Sequence, residues 1–182
     1  IWLDKEKTTP YEFYQFWINT DDRDVIKYIK FFTFLSHDEI AALEEELTNA
    51  PEKRAAQKAL AEDMTKLVHG EESLEQAIKI SQAFFSGNIK ELTGDEIEQG
   101  FKDVPAFTSE EAEIGLIDLL VNAKISPSKR QAREDVSNGA VYINGERIQE
   151  TDKVLGADDR IDGKFTVIRR GKKKYTLIQY KN

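Results

Sequence analysis

Five cations crowd around a single glycine in VIRRGKKKYTLIQY, residues 167–180. Arg169 and Arg170 precede Gly171, and Lys172, Lys173 and Lys174 follow it. Like charges this close repel one another, and an anionic partner is the obvious thing to offset that repulsion. A second basic segment, SPSKRQAREDVSNG, carries Lys129, Arg130 and Arg133. If Ala132 and Val136 at i, i+4 form its buried side, then Lys129, Arg130, Arg133 and Ser137 fall on the adjoining exposed sector of a helix. The N-terminus of such a helix itself favours phosphate. A basic helix together with a basic hairpin is an electrostatic footprint for a nucleic-acid backbone. The plainer reading is that surface Lys and Arg merely keep a domain in solution, and the density of charge between 169 and 174 speaks against it. Tyr142, Tyr175 and Tyr180 have the chemistry to stack on bases, although alternate burial in strands explains them equally well.

Other chemistry is scarce. The two histidines, His37 and His69, lie 32 residues apart at separate helix ends, and no H-x-x-x-H spacing occurs. The absence of cysteine removes disulfides and thiolate metal sites, so no metal site is expected. SGNIKELTG and NGERIQETDKVLG fit neither a phosphate-binding loop nor a dinucleotide fingerprint. The carboxylates of LEEEL and HGEES read as solvated helix faces. The chain by itself is expected to hold no catalytic residue and no cofactor.

Composition places these motifs in context. The 182 residues are 40% hydrophobic and 33% charged, which suits one or two globular cores. No run approaches the roughly 20 apolar residues that span a bilayer, and no basic-then-apolar leader opens the chain. A reducing, cytoplasmic location without membrane contact is expected. The first residue is Ile1 rather than Met, which reads as a piece of a longer chain. The net charge of −8 conceals an asymmetry. Residues 1–100 hold 11 Lys and Arg against 21 Asp and Glu, a net −10, whereas residues 123–182 hold 14 against 8, a net +6. Two modules with different surfaces are expected.

The elements that must position the cations follow from periodicity. Helices are expected over PYEFYQFWIN, with Pro10 in the first turn, and over DDRDVIKYIKFFTFL, where Val25, Tyr28, Ile29 and Phe32 form one stripe. SHDEIAALEEEL carries the capping pair Ser36 and Glu39. PEKRAAQKALAEDMTKLVHG reads as a helix from Pro51 to Gly70, and ESLEQAIKISQAFFSG as one ending at Gly87. Residues 88–110 are less regular and are taken to contain the linker. Beyond it come an apolar helix, IGLIDLLVNAKI, and the basic helix from Ser126 or Ser128 to Gly139. The period then changes to two: Asn144-Gly145 in AVYINGERI signals a hairpin, and two strands flank Gly171. The fold class is therefore α+β, with an N-terminal all-α domain over 1–100, a linker over 101–110 and a small α+β domain over 111–182.

SPSKRQAREDVSNGAVYINGERI, with DDRI after it, closely resembles the αL signature of the RNA-binding domain first described in the fourth protein of the small ribosomal subunit. IWLDKEKTTPYEFYQFWINTDDRDVIKYIKFFTFLS and LAEDMTKLVHGEE resemble the segment of bacterial tyrosyl-tRNA synthetases that follows the catalytic K-M-S-K-S-type loop. Together the two resemblances run nearly the length of the chain. They imply a helical anticodon-binding domain followed by an αL-type domain that grips the anticodon stem and long variable arm of tyrosine tRNA. No H-I-G-H-type motif, K-M-S-K-S-type loop or Rossmann domain is present. The resemblance therefore puts the ATP and tyrosine sites, and the main homodimer interface, outside this chain.

By the same resemblance, Arg130, Arg133, Arg169, Arg170, Lys172 and Lys173 are phosphate contacts, with Lys129 and Lys174 beside them. A carboxylate at the start of the second helix is implied to read an anticodon base: Asp22, with Asp24 the alternative. Acids at a helix N-terminus are ordinary, and that reading of both stays open. A stand-alone ribosomal-RNA-binding protein with the same αL motif is the main alternative function, and a protein-binding helical adaptor is a third.

Overall fold

A computed structural model describes residues 1–181. It is α+β, with eight α-helices and seven strands among the described residues. The chain divides into two compact units, Ile1–Ser81 and Gln82–Asn182.

The first unit is helical. α1 (Pro10–Ile18) begins with the capping box Thr9/Glu12 and has Pro10 in its first turn. α2 (Val25–Phe32) buries Val25 and Ile29 one turn apart, while Phe32 stays 46% exposed at its last turn. α3 (His37–Asn49) opens on the Ser36/Glu39 capping box that the sequence announces. The segment from Pro51 departs from expectation. A 3-10 turn covers Pro51–Lys53, Arg54 takes a left-handed conformation at φ 53°, and only then does α4 (Ala55–His69) begin. Arg54 reaches the carbonyls of Ile18 and Thr20 with Nη2, and those bonds favour the interruption. The core joins Phe13, Tyr14 and Trp17 of α1 to Val25, Ile29, Ala56, Leu60, Ala61 and Met64. α5 (Glu71–Ser86) follows Gly70 and contributes Ala77 to that core.

The second unit carries the sheet. Residues 88–110 are more structured than their sequence suggests. They hold a 3-10 turn at Ile89–Glu91, α6 (Gly94–Gly100) with the capping box Thr93/Glu96, and β1 (Ala106–Ser109). β1 pairs in parallel with the last strand, so its partner lies some 70 residues away and leaves no local trace in sequence. β2 (Ile114–Gly115) leads into α7 (Leu116–Asn122), which stops where Lys124 turns left-handed at φ 57°. α8 (Lys129–Ser137) is capped by Ser128. β3 (Val141–Ile143) and β4 (Glu146–Ile148) form the expected hairpin around Asn144-Gly145, both at positive φ as a two-residue turn requires. β5 (Val154–Leu155) pairs with β2. β6 (Phe165–Arg170) and β7 (Lys174–Tyr180) complete a mixed five-stranded sheet in the order β1-β7-β6-β3-β4. One face of that sheet places Val141, Ile143, Ile168 and Ile178 in a core with Leu116, Leu119, Leu120, Ala132 and Val136 of α7 and α8.

Candidate nucleic-acid interface

The local fold delivers the α8 cations as their spacing predicts. Ala132 and Val136 are fully buried, and Lys129, Arg130, Arg133 and Ser137 are exposed. Arg130 and Arg133 have no ion pair or hydrogen bond from their side chains to any described residue, so both guanidinium groups are open to a ligand. Lys129 reaches Asp118 of α7 at 2.6 Å, but both side chains are more than half exposed. Such a surface pair contributes at most about 1 kcal/mol and gives way readily to a phosphate.

The cations around Gly171 sort into three kinds. Lys172, Lys173 and Lys174 are exposed, and their ammonium groups are unpaired among the described residues. Arg169 is half-buried. Its guanidinium lies 3.8 Å from the centroid of the Tyr142 ring, and Nη1 donates to the Gly171 carbonyl at 3.0 Å. Arg170 points to the other face of β6 and is the most engaged. Its Nε lies 2.8 Å from Oδ2 of Asp135, Nη2 donates to Oδ1 at 3.2 Å, and Nη1 donates to the Ile125 carbonyl at 3.2 Å.

Asp135 is the residue that sequence reasoning passed over. It sits on the buried side of α8, only 8% exposed, and also accepts from the Ser126 hydroxyl at 2.9 Å and the Gln131 amide at 3.0 Å. Burial opposes its ionisation, but the hydrogen bonds from Gln131, Arg170 and Ser126 outweigh it and hold the carboxyl below its usual range. An acid one turn from Ala132 and beside Val136, on an otherwise apolar helix side, was the available signal. Through this pair α8, the loop before it and β6 are fixed to one another.

These elements surround a cleft of about 750 Å³ lined by Lys124, Ser126, Pro127, Arg170, Lys173 and Lys174, among others. The loop before α8 and the Gly171 turn thus share one cationic recess, while Lys129, Arg130 and Arg133 of α8 lie outside its lining. Lys124, left-handed and exposed, is a further cation that no motif marks. The tyrosines differ in use. Tyr142 takes a hydrogen bond from Nη2 of Arg147 at 2.8 Å. That bond, aided by the charges of Arg147 and Arg169, draws the phenol below its ordinary pKa against the effect of burial. Tyr175 packs edge-on against Phe84 and Phe101, each at 5.5 Å, and Tyr180 lies under Arg160.

The hairpin that carries Tyr142 and Arg147 is locked from below. The Asn144 amide donates to the Asp159 carbonyl at 2.7 Å, and its Oδ1 accepts from the Val167 amide at 2.8 Å. Gly145 is pressed so near Gly87 that any Cβ there would run into the Gly87 carbonyl. Glycine is obligatory at that position.

In the helical unit, Asp22 is half-exposed. It accepts a hydrogen bond from the amide of Gln57, a fully buried residue, and stands 3.9 Å from Arg54 Nη1. Asp24 caps α2 by position but makes no side-chain cap bond. Among the described residues no group of three or more His, Asp or Glu side chains could hold a metal ion, and no helix is long and apolar enough to cross a membrane.

Two family profiles cover most of the chain. That described as "Tyrosine--tRNA ligase SYY-like C-terminal domain" matches residues 96–178, and that described as "tRNA synthetases class I (W and Y)" matches residues 1–86. The chain is 71% identical over 180 residues to a tyrosine–tRNA ligase of Bacillus caldotenax and 72% identical over 180 residues to tyrosine–tRNA ligase 1 of Bacillus cereus. Each alignment takes in 99% of this chain and 43% of the relative, so the chain spans less than half the length of the proteins it matches. A solution structure of a tyrosyl-tRNA synthetase C-terminal domain is 63% identical, aligned over 53% of this chain and 98% of that one, with a TM-score of 0.45. On the two family profiles and the sequence identities to these ligases the chain belongs to the tyrosine–tRNA ligase family, within which its residues 96–178 correspond to the C-terminal domain.

Proposed function

We propose that this chain is the tRNA-gripping part of a cytoplasmic tyrosine–tRNA ligase. It holds the tRNA so that a separate catalytic domain, which binds ATP and tyrosine and forms the homodimer, can attach tyrosine to the 3′ end. The observation that carries this reading is the set of exposed cations Arg130, Arg133, Lys172, Lys173 and Lys174, unpaired among the described residues and set on a basic module of a family member. Phosphate groups of an RNA backbone are the ligand that such a surface recognises.

Within that reading Arg130, Arg133, Lys172, Lys173 and Lys174 contact phosphates directly, and Lys129 joins them when its pair with Asp118 opens. Arg170 holds the turn in place through Asp135. The C-terminal module takes the anticodon stem and the long variable arm. Asp22, oriented by Gln57, reads an anticodon base from the helical module, with Asp24 next to it in sequence. The ribosomal-RNA alternative is not favoured by the family matches.

Binding of tyrosine tRNA, with and without its variable arm, tests the reading. Loss of the arm is expected to weaken binding at least tenfold, and equal affinity for both forms would refute it. The chain alone should catalyse no tyrosine-dependent exchange of pyrophosphate into ATP.

A further inference from the structure

A transverse row of side chains crosses the sheet of the second unit on the face away from α8. The strand registers place Arg147 opposite Tyr142, Tyr142 opposite Arg169, and Arg169 opposite Tyr175. Cation and aromatic ring therefore alternate along four strands. Beside this row is a cleft of about 290 Å³, lined by Phe85, Gly87, Tyr142, Arg169, Lys172 and Tyr175 together with neighbouring side chains. Phe85 is the anomaly. It is 93% exposed, although the adjacent Phe84 is packed on Phe101 at 4.8 Å and on Tyr175 at 5.5 Å. A phenyl ring left bare at the rim of a cation-lined cleft forgoes most of the free energy that its burial would gain.

We propose that this cleft is a stacking site for one unpaired RNA nucleotide. The base enters between Phe85 and the Arg169–Tyr142 pair, and Lys172 takes its phosphate. Arg169 is preorganised for the task. One face of its guanidinium already rests on the Tyr142 ring, and its Nη1 is tied to the Gly171 carbonyl. The planar cation is thereby held ready to stack on a base with its second face. Arg147, bonded to the Tyr142 hydroxyl, fixes the ring from the other side. The aromatic and guanidinium faces suit any base, so the site selects an unstacked nucleotide over a paired one rather than one base over another. The assignment rests on the RNA-binding reading above, which already gives Lys172 a phosphate, and adds to it a base stack on Phe85 that itself neutralises no phosphate.

That difference makes the two separable by experiment. Tyrosine-tRNA transcript is titrated against the full chain and the variants Phe85→Ala and Phe85→Tyr across a range of salt. Phe85→Ala is expected to weaken binding about five- to a hundredfold at every salt concentration, the range measured for loss of one base stack. The slope of log affinity against log salt should remain that of the wild type, and Phe85→Tyr should restore affinity. A 2-aminopurine placed at each unpaired position in turn should show fluorescence quenching at one position only, abolished by Phe85→Ala. Unchanged affinity in Phe85→Ala overturns the proposal, as does a slope that falls with the affinity, which would assign the loss to displaced cations. Absence of salt-dependent tRNA binding by the wild type itself would instead overturn the RNA-binding reading on which the site depends.

Discussion

Arg170→Met distinguishes a cation that holds the interface together from one that touches RNA. Arg170 makes two contacts with the Asp135 carboxylate, at 2.8 and 3.2 Å, and their side chains are 27% and 10% exposed. Removing one member of a fully buried pair costs about 3–5 kcal/mol, because the other charge is left uncompensated. Water reaches this guanidinium in part, and Asp135 keeps Ser126 and Gln131, so the cost here is about 2 kcal/mol. For a unit of this size that lowers the midpoint of thermal unfolding by about 8–16 °C. Hydrogen exchange at the β6 amides should accelerate in parallel, and Arg170→Met combined with Asp135→Leu should recover most of the loss. The pH dependence has a definite sign. Asp135 is held below its ordinary pKa, so its contribution is complete above the unfolded value of about 4 and disappears as pH falls through the lower folded value. RNA binding should respond differently. Lys172→Ala with Lys173→Ala removes about two phosphate contacts and should reduce the salt slope by about 1.4–1.8. Between 50 and 200 mM salt the double variant then loses about tenfold less affinity than the wild type, with stability changed by less than about 0.5 kcal/mol. Arg170→Met should leave the slope alone in whatever fraction stays folded. A variant that melts with the wild type and loses about 0.8 of slope would refute the assignment of Arg170 to the internal tie.

Four further outcomes follow from the same geometry. Gly145→Ala should prevent the β3–β4 hairpin from seating against Gly87, with a loss of secondary structure visible by circular dichroism. Gly171→Ala, equally left-handed at φ 70° but with nothing within 4 Å, should cost only about 1–2 kcal/mol. Asp22→Asn should change preference among anticodon variants of the tRNA while leaving the salt slope intact, and a change in slope would remove Asp22 from base reading. Burial, and secondarily the charge of Lys5, pull the pKa of His69 below 6.5, and its ring stands edge-on to Phe13 at 4.9 Å. An NMR titration of His69 should therefore give a midpoint below 6.5. The helical unit should begin to lose the His69 contribution near pH 6.5, where the unfolded state takes up the proton first, and lose it progressively as pH falls through the lower folded value.

What the sequence made legible was what local rules govern. Ser128 ahead of the Ala132/Val136 spacing gave α8, and Asn144-Gly145 gave the hairpin, because capping and turn chemistry act over a few residues. β1 stayed hidden because four residues, Ala106–Ser109, acquire strand structure only by pairing with β7 at the far end of the unit. Asp135 stayed hidden because a buried carboxylate is recognisable only with its partner, and Arg170 is distant in sequence. The arginine pair itself carried a readable warning. Consecutive residues on a strand point to opposite faces, so Arg169 and Arg170 could never have formed one surface. β6 sends Arg169 to the Tyr142 row and Arg170 toward Asp135, beneath α8. The repulsion expected of five crowded cations is relieved in the same stroke. One is neutralised by a carboxylate, one spreads its charge over an aromatic ring, and three lysines remain at the turn with their ammonium groups in solvent. The turn therefore folds without needing an anion, and its lysines stay open to one.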